Sequence, residues 1–143
     1  MADPFNLERF VSAQATVIDD VRAELRCGRK SSHWMWFVFP QIAGLGGSPT
    51  ARRYAIASQN EASAYLHHPV LRPRLVECTE LVLAIDGRSI EAIFGHPDYL
   101  KFQSCMTLFA TCSAEIGRFD QALQRFFGGQ RDDATLARLV GSP

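Results

Sequence analysis

Apolar residues in this chain recur at intervals of three and four, but never for long before a glycine or proline intervenes. Leu7, Phe10, Val17, Ile18, Val21 and Leu25 follow helical spacing and stop at Gly28. Val70, Leu71, Leu75, Cys78, Leu81, Val82 and Ile85 do the same and stop at the turn Asp86-Gly87. Phe119, Leu123, Phe126 and Phe127 stop at Gly128-Gly129. A chain cut this often cannot build a long up-and-down bundle. It is expected to build an all-α, compact array of about six to eight short helices joined by Gly/Pro turns.

Start signals agree with that reading. Asp3-Pro4 suits a first helix, with a division expected at residues 12–14. Ser48-Pro49 can open a short helix through Tyr54, and Ser58 with Glu61 has capping-box spacing. His68-Pro69 breaks the chain, Ser89 can cap a short helix ending at Gly95, and Pro97 opens another. Along that last helix, positions 99, 102, 106 and 109 form one apolar stripe. Asp132 or Asp133 can cap a final helix through Leu139.

The chain has 143 residues, enough for one domain over 1–143 with a real core. The apolar share of 47% argues against disorder. No apolar run approaches a membrane span, and the polar, acidic start lacks the basic and apolar stretches of a secretion signal, so a cytoplasmic protein is expected. Cys27, Cys78, Cys105 and Cys112 form no Cys-x-x-Cys pair and are expected to be buried free thiols. Formal net charge is zero and the arginines are scattered among acids, which argues against nucleic acid as a partner. Oligomeric state cannot be read from the sequence.

The familiar catalytic and cofactor motifs are missing, including the phosphate loop, the serine elbow and the paired-histidine zinc motif, and no cofactor is expected. Gly44-Leu45-Gly46-Gly47 lacks dinucleotide spacing and reads as a plain loop sooner than as a phosphate cradle. His33, His67, His68 and His96 lack metal-ligand spacing with the cysteines, so no metal site is expected.

Two segments carry chemistry, and they hold the chain's only lysines, Lys30 and Lys101, against thirteen arginines. Residues 29–41 combine Arg29, Lys30, Ser31, Ser32 and His33 with Trp34, Trp36 and Gln41. Cations and hydroxyls suit anionic groups, and indole faces suit flat rings, so the segment reads either as a small-molecule pocket or simply as core. Its backbone reads as a buried strand or a helical turn. In residues 96–107, Asp98, Lys101 and Ser104 or Thr107 fall near one helical face. They are either a surface pair or the polar lining of a cleft. Gln14 interrupts the apolar face of the first helix and either ties helices together or meets a ligand.

Several stretches resemble the bacterial family catalogued as domain of unknown function 1810. They include Leu7-Glu8-Arg9-Phe10 with Ala13-Gln14, Gly28 to Phe37 with its His33-Trp34-Met35-Trp36 core, and Phe39-Pro40-Gln41. His68-Pro69-Val70-Leu71, Phe94-Gly95, Pro97-Asp98, Lys101, Ser104 and Met106-Thr107-Leu108-Phe109 belong to the same pattern. The resemblance covers nearly the whole chain and implies an all-helical single domain with no established activity. A more remote resemblance is to NADAR proteins, a group linked to ADP-ribose derivatives, through Phe10 with Ala13-Gln14 and the stretch from His68 to Glu80. The lysine which that pattern carries after Ala-Gln is Ala15 here, so its catalysis does not transfer unless Lys30 or Lys101 takes that place in space.

The residues together suggest a pocket for a nucleotide- or ADP-ribose-like ligand. Trp34 and Trp36 would be its walls, Lys30, His33 and Lys101 would meet anionic groups, and Gln14, Gln41, Asp98 and Ser104 would orient the ligand. If the protein is an enzyme, glycosidic hydrolysis fits best, with Asp98 as acid–base group and Lys101 as electrostatic stabiliser. The alternative is a non-enzymatic protein-interaction domain.

Overall fold

The computed structural model of the protein describes residues 2–114 and 117–141. They form ten helices: α1 (Glu8–Ala15), α2 (Ile18–Arg26), α3 (Met35–Val38), α4 (Pro49–Arg53), α5 (Gln59–His67), α6 (Leu71–Leu83), α7 (Ile90–Phe94), α8 (Asp98–Cys112), α9 (Arg118–Phe127) and α10 (Asp133–Val140). The all-helical class agrees with the sequence reading, and the count exceeds the six to eight expected because some helical stretches are single turns. Residues 29–41 hold one such turn, α3, and α4 is five residues long. Among the described residues, the one sheet-like pairing is an isolated parallel bridge between Ile42 and Ile56.

Helix starts follow the capping chemistry read from the sequence. The hydroxyls of Ser48, Ser58 and Ser89 accept the N–H groups of Ala51, Glu61 and Ala92, and Asp132 accepts that of Thr135. Three details differ. Asp3 accepts from the N–H groups of Leu7 and Glu8, so α1 starts four residues past Pro4. The first two helices divide at Thr16 and Val17, beyond residues 12–14, where the Val17 N–H closes a tight turn on the Gln14 carbonyl at 3.0 Å. The Glu61 carboxylate does not return to Ser58; it accepts from the Ala57 N–H at 2.9 Å and pairs with Arg9.

α8 runs through the middle of the array, touching α5, α7, α9 and α10. Phe102, Cys105, Met106, Leu108 and Phe109 on it are all fully buried, which makes it apolar on nearly every side. Around Phe102 a cluster of rings closes the core, with centroids at 4.9 Å to Phe94 and 5.1 Å to Phe39. A second cluster links Phe10, Tyr65, Phe109 and Phe119. All four cysteines are free. Cys78 and Cys105 are buried, as expected, and burial pushes the Cys78 thiol up to about 12. Cys27 is exposed because it lies past the last buried turn of α2, and Cys112 is half-buried.

Candidate functional site

An open cleft of about 410 Å³ lies between the start of α8, the loop 45–48 with α4, and the start of α10. That volume falls in the range of small-molecule sites. Trp36, Gln41, Lys101 and Ser104 line it, so four of the residues singled out in the sequence meet there. α3 turns the Trp36 ring outward. The Ile42–Ile56 bridge, with the Ile56 N–H on the Gln41 carbonyl at 2.8 Å, fixes the backbone that carries Gln41. Lys101 and Ser104 stand one turn apart on α8. The Lys101 ammonium lies 5.4 Å from the centre of the Trp36 ring.

Behind this wall sits a charge cluster. The Lys30 ammonium pairs with Asp98 Oδ2 at 2.9 Å and the Lys101 ammonium with Asp98 Oδ1 at 3.5 Å. The Lys30 side chain is only 8% exposed and also lies over the Trp34 ring at 5.2 Å. The two lysine segments therefore do converge, but Lys30 and Asp98 back the cleft rather than line it. Asp98 has both oxygens committed, which suits a part that sets the position of Lys101.

Three other candidates are placed elsewhere. Gln14 is 1% exposed and ties helices: its amide donates to the Phe37 carbonyl at 2.6 Å and the Tyr65 hydroxyl at 3.2 Å, and its oxygen accepts from Arg74 at 3.4 Å. Both amide hydrogens are spent, leaving none for a ligand. Trp34 is core, 1% exposed, packed against Phe39 and Phe94, with its indole N–H on Glu24 at 3.0 Å. His33 is exposed and does not line the cleft.

Glu24 is what fixes the approach to α3. It accepts from the N–H groups of Ser31 and Ser32, the Ser32 hydroxyl and the Trp34 indole. Burial pushes its carboxyl up, but those donors outweigh it and hold it at about 2, below the ordinary 4.5. A carboxyl held low stabilises the fold fully above its unfolded value, and the contribution fades as pH falls from about 4.5 toward 2. Glu24→Gln is expected to cost about 1 kcal/mol at neutral pH, allowing for solvent screening, or roughly 2–4 °C in Tm. It should also flatten that part of the acid limb, which Tm measured against pH would show; an unchanged limb would remove Glu24 from this role.

The sequence reading missed Asp132 as part of the cleft, together with the loop 45–48. Asp132 was legible as a cap, but its approach to Ser104, 28 positions away, was not. Gly46 has a steric reason to be glycine, since a Cβ there would come within 2.7 Å of the Ala51 Cβ. Gly44, at φ +98°, lets the Arg138 side chain of α10 rest against the backbone just before this wall. Among the described residues, no group of three His, Cys, Asp or Glu side chains is placed to hold a metal ion. No described helix is long and apolar enough to cross a membrane.

The chain is similar to a solved structure, that of the conserved hypothetical protein Rv1873 from Mycobacterium tuberculosis at 1.38 Å. The two share 56% identity with a TM-score of 0.96, covering 98% of this chain and 100% of the other. No curated protein matches the chain. The remote likeness to NADAR proteins finds no support in these similarities. Residues 4–139 match the family model described as "Protein of unknown function (DUF1810)", and the chain belongs to that family.

Proposed function

We propose that the cleft binds a small anionic ligand bearing a flat ring, of the nucleotide class. One observation carries this reading: Trp36, Gln41, Lys101 and Ser104, from two segments some 60 positions apart, line a single cleft of about 410 Å³. Trp36 offers a stacking surface. Lys101 offers a cation whose distance to Asp98 is long enough to leave N–H donors for a ligand. Gln41 and Ser104 supply polar groups that fix orientation.

The geometry supports binding over hydrolysis. Asp98, the acid–base candidate, is held between two ammonium groups and does not line the cleft. A protein-interaction role has less support, because the large exposed hydrophobics among the described residues are Leu100 and Val140, and Leu100 belongs to the cleft itself.

Tryptophan fluorescence with thermal shift tests the reading, against ADP-ribose, NAD, nucleotides and sugar phosphates. The expected result is a saturable signal from Trp36, with Trp34 as a buried background, and a stabilisation of about 2.7 kcal/mol at a hundredfold excess over Kd. Lys101→Ala should weaken binding by about tenfold or more, since it removes a charged hydrogen-bond donor. Silence in both assays across the panel would overturn the reading.

A further inference from the structure

Resting on that reading, we infer that the ligand is a ribonucleotide whose sugar hydroxyls are recognised by Asp132. Asp132 forms part of the cleft wall and precedes α10. Its Oδ2 accepts from the Thr135 N–H at 3.1 Å and the Thr135 hydroxyl at 2.5 Å, and lies 3.0 Å from the Ser104 hydroxyl, whose one hydrogen it shares with the Leu100 carbonyl at 3.1 Å. Its own N–H donates to the Thr107 hydroxyl at 2.9 Å. Thr107 and Thr135 are fully buried and Ser104 nearly so, so the carboxylate is clamped in one orientation.

The other oxygen, Oδ1, accepts no hydrogen bond from the described residues. Yet no buried side-chain nitrogen or oxygen among them lacks a partner. Oδ1 is therefore accessible rather than sealed in the interior, on a residue that lines the cleft. An ionised carboxylate oxygen can only accept, so the ligand must bring a donor to it and keep anionic groups away. Lys101 makes the opposite demand from another part of the wall. One cleft thus asks for a donor-bearing part, an anionic part and a flat ring.

A ribonucleotide joins these three in one molecule. Neutral vicinal hydroxyls meet a carboxylate, the phosphate meets an ammonium, and the base lies on an indole. A carboxylate that reads ribose hydroxyls is a recurrent solution in dinucleotide-binding sites of unrelated fold. Ser104 is then a positioning residue: it lines the cleft, and its hydroxyl helps hold Asp132.

The test is calorimetric titration of the intact protein with adenosine 5′-monophosphate and its 2′-deoxy analogue, on the wild type and on Asp132→Asn. Asparagine keeps a carbonyl oxygen for the cap but can present an amide donor where Oδ1 accepts. The wild type should bind the ribonucleotide about tenfold or more tightly than the deoxy form, the worth of one hydrogen bond to a charged group. Asp132→Asn should collapse that ratio toward one, with Tm confirming that α10 stays capped. Equal wild-type affinities with Lys101-dependent binding would overturn the Asp132 assignment and leave the cleft reading standing. A ratio that persists in Asp132→Asn would do the same. Should an aromatic amino acid bind more tightly than the ribonucleotide, Oδ1 reads an ammonium and the ribose assignment falls. If nothing in the panel binds, both readings fall together.

Discussion

Arg9→Met is expected to lower stability by about 3–5 kcal/mol, one of the two largest losses predicted for a single residue of this protein. The guanidinium has five N–H donors and five acceptors around it. Nη1 donates to the carbonyls of Phe5 at 2.6 Å and Asn6 at 2.8 Å, Nε to that of Arg53 at 2.8 Å, and Nη2 to that of Ala55 at 2.9 Å. Nη2 also meets Glu61 Oε2 at 2.7 Å. The Glu61 side chain is only 4% exposed, so removing Arg9 strands a carboxylate out of water. It also frees the N-terminal turn from α4 and α5. At this chain length the loss corresponds to roughly 10 °C in Tm, readable by thermal or urea unfolding. Arg9→Lys should recover only part of it, because an ammonium has three donors in place of a planar five. The double variant Arg9→Met with Glu61→Met should be clearly more stable than Arg9→Met alone, since no charge is then stranded. If the double variant is no better, the loss comes from the carbonyl contacts and the stranded-charge argument fails.

Phe102→Ala is expected to cost a similar amount, about 3–5 kcal/mol, for a different reason. The ring is fully buried in the first half of α8 and meets rings of four other residues. Phe94 lies at 4.9 Å, Phe39 at 5.1 Å, and Phe126 and Phe127 both at 6.4 Å. These neighbours come from α7, the end of α3 and α9, so the cavity cannot close without several elements moving together. Phe102→Leu keeps most of the volume and should cost markedly less, about 1–2 kcal/mol. Denaturant unfolding of the two variants separates cavity from shape. A Phe102→Ala protein within 1 kcal/mol of wild type, as an order-of-magnitude bound, would mean that this ring is not the keystone of the aromatic cluster.

Much of the fold is local physics and is legible in the amino-acid sequence. Ser48, Ser58, Ser89 and Asp132 each stand where a helix needs a side-chain oxygen, and each caps one. Gly128, at φ +63°, ends α9 as the glycine stop signal implies. The stripe containing Phe102, Met106 and Phe109 is buried as its spacing requires. These signals depend on neighbours within four residues, which is why a sequence displays them. The short helix α4 was legible from its Ser48-Pro49 start, whereas the single turn α3 stayed open between strand and helical turn because so short a run has no periodicity to read.

The candidate site divides along the same line. The lysines mark the two segments that converge at Asp98, because a cation among aromatics is a chemical signal that needs no coordinates. Which tryptophan faces the cleft is another matter. Trp34 and Trp36 are two positions apart, about 200° around a helical turn, so packing one as core turns the other outward. The sequence leaves the two orientations equivalent. Glu24 breaks the tie by drawing the Trp34 indole N–H inward, and Lys101 comes to rest over Trp36. Gln14 was a buried amide in need of partners, and they arrive from 23, 51 and 60 positions away. Arg9 reaches acceptors 44 to 52 positions on, and Asp132 closes on Ser104 across 28. The sequence by itself determined where most of the helices begin, end and turn their apolar faces. Only tertiary packing decided which polar groups meet, because a buried donor takes whatever acceptor the chain's long-range path brings within reach.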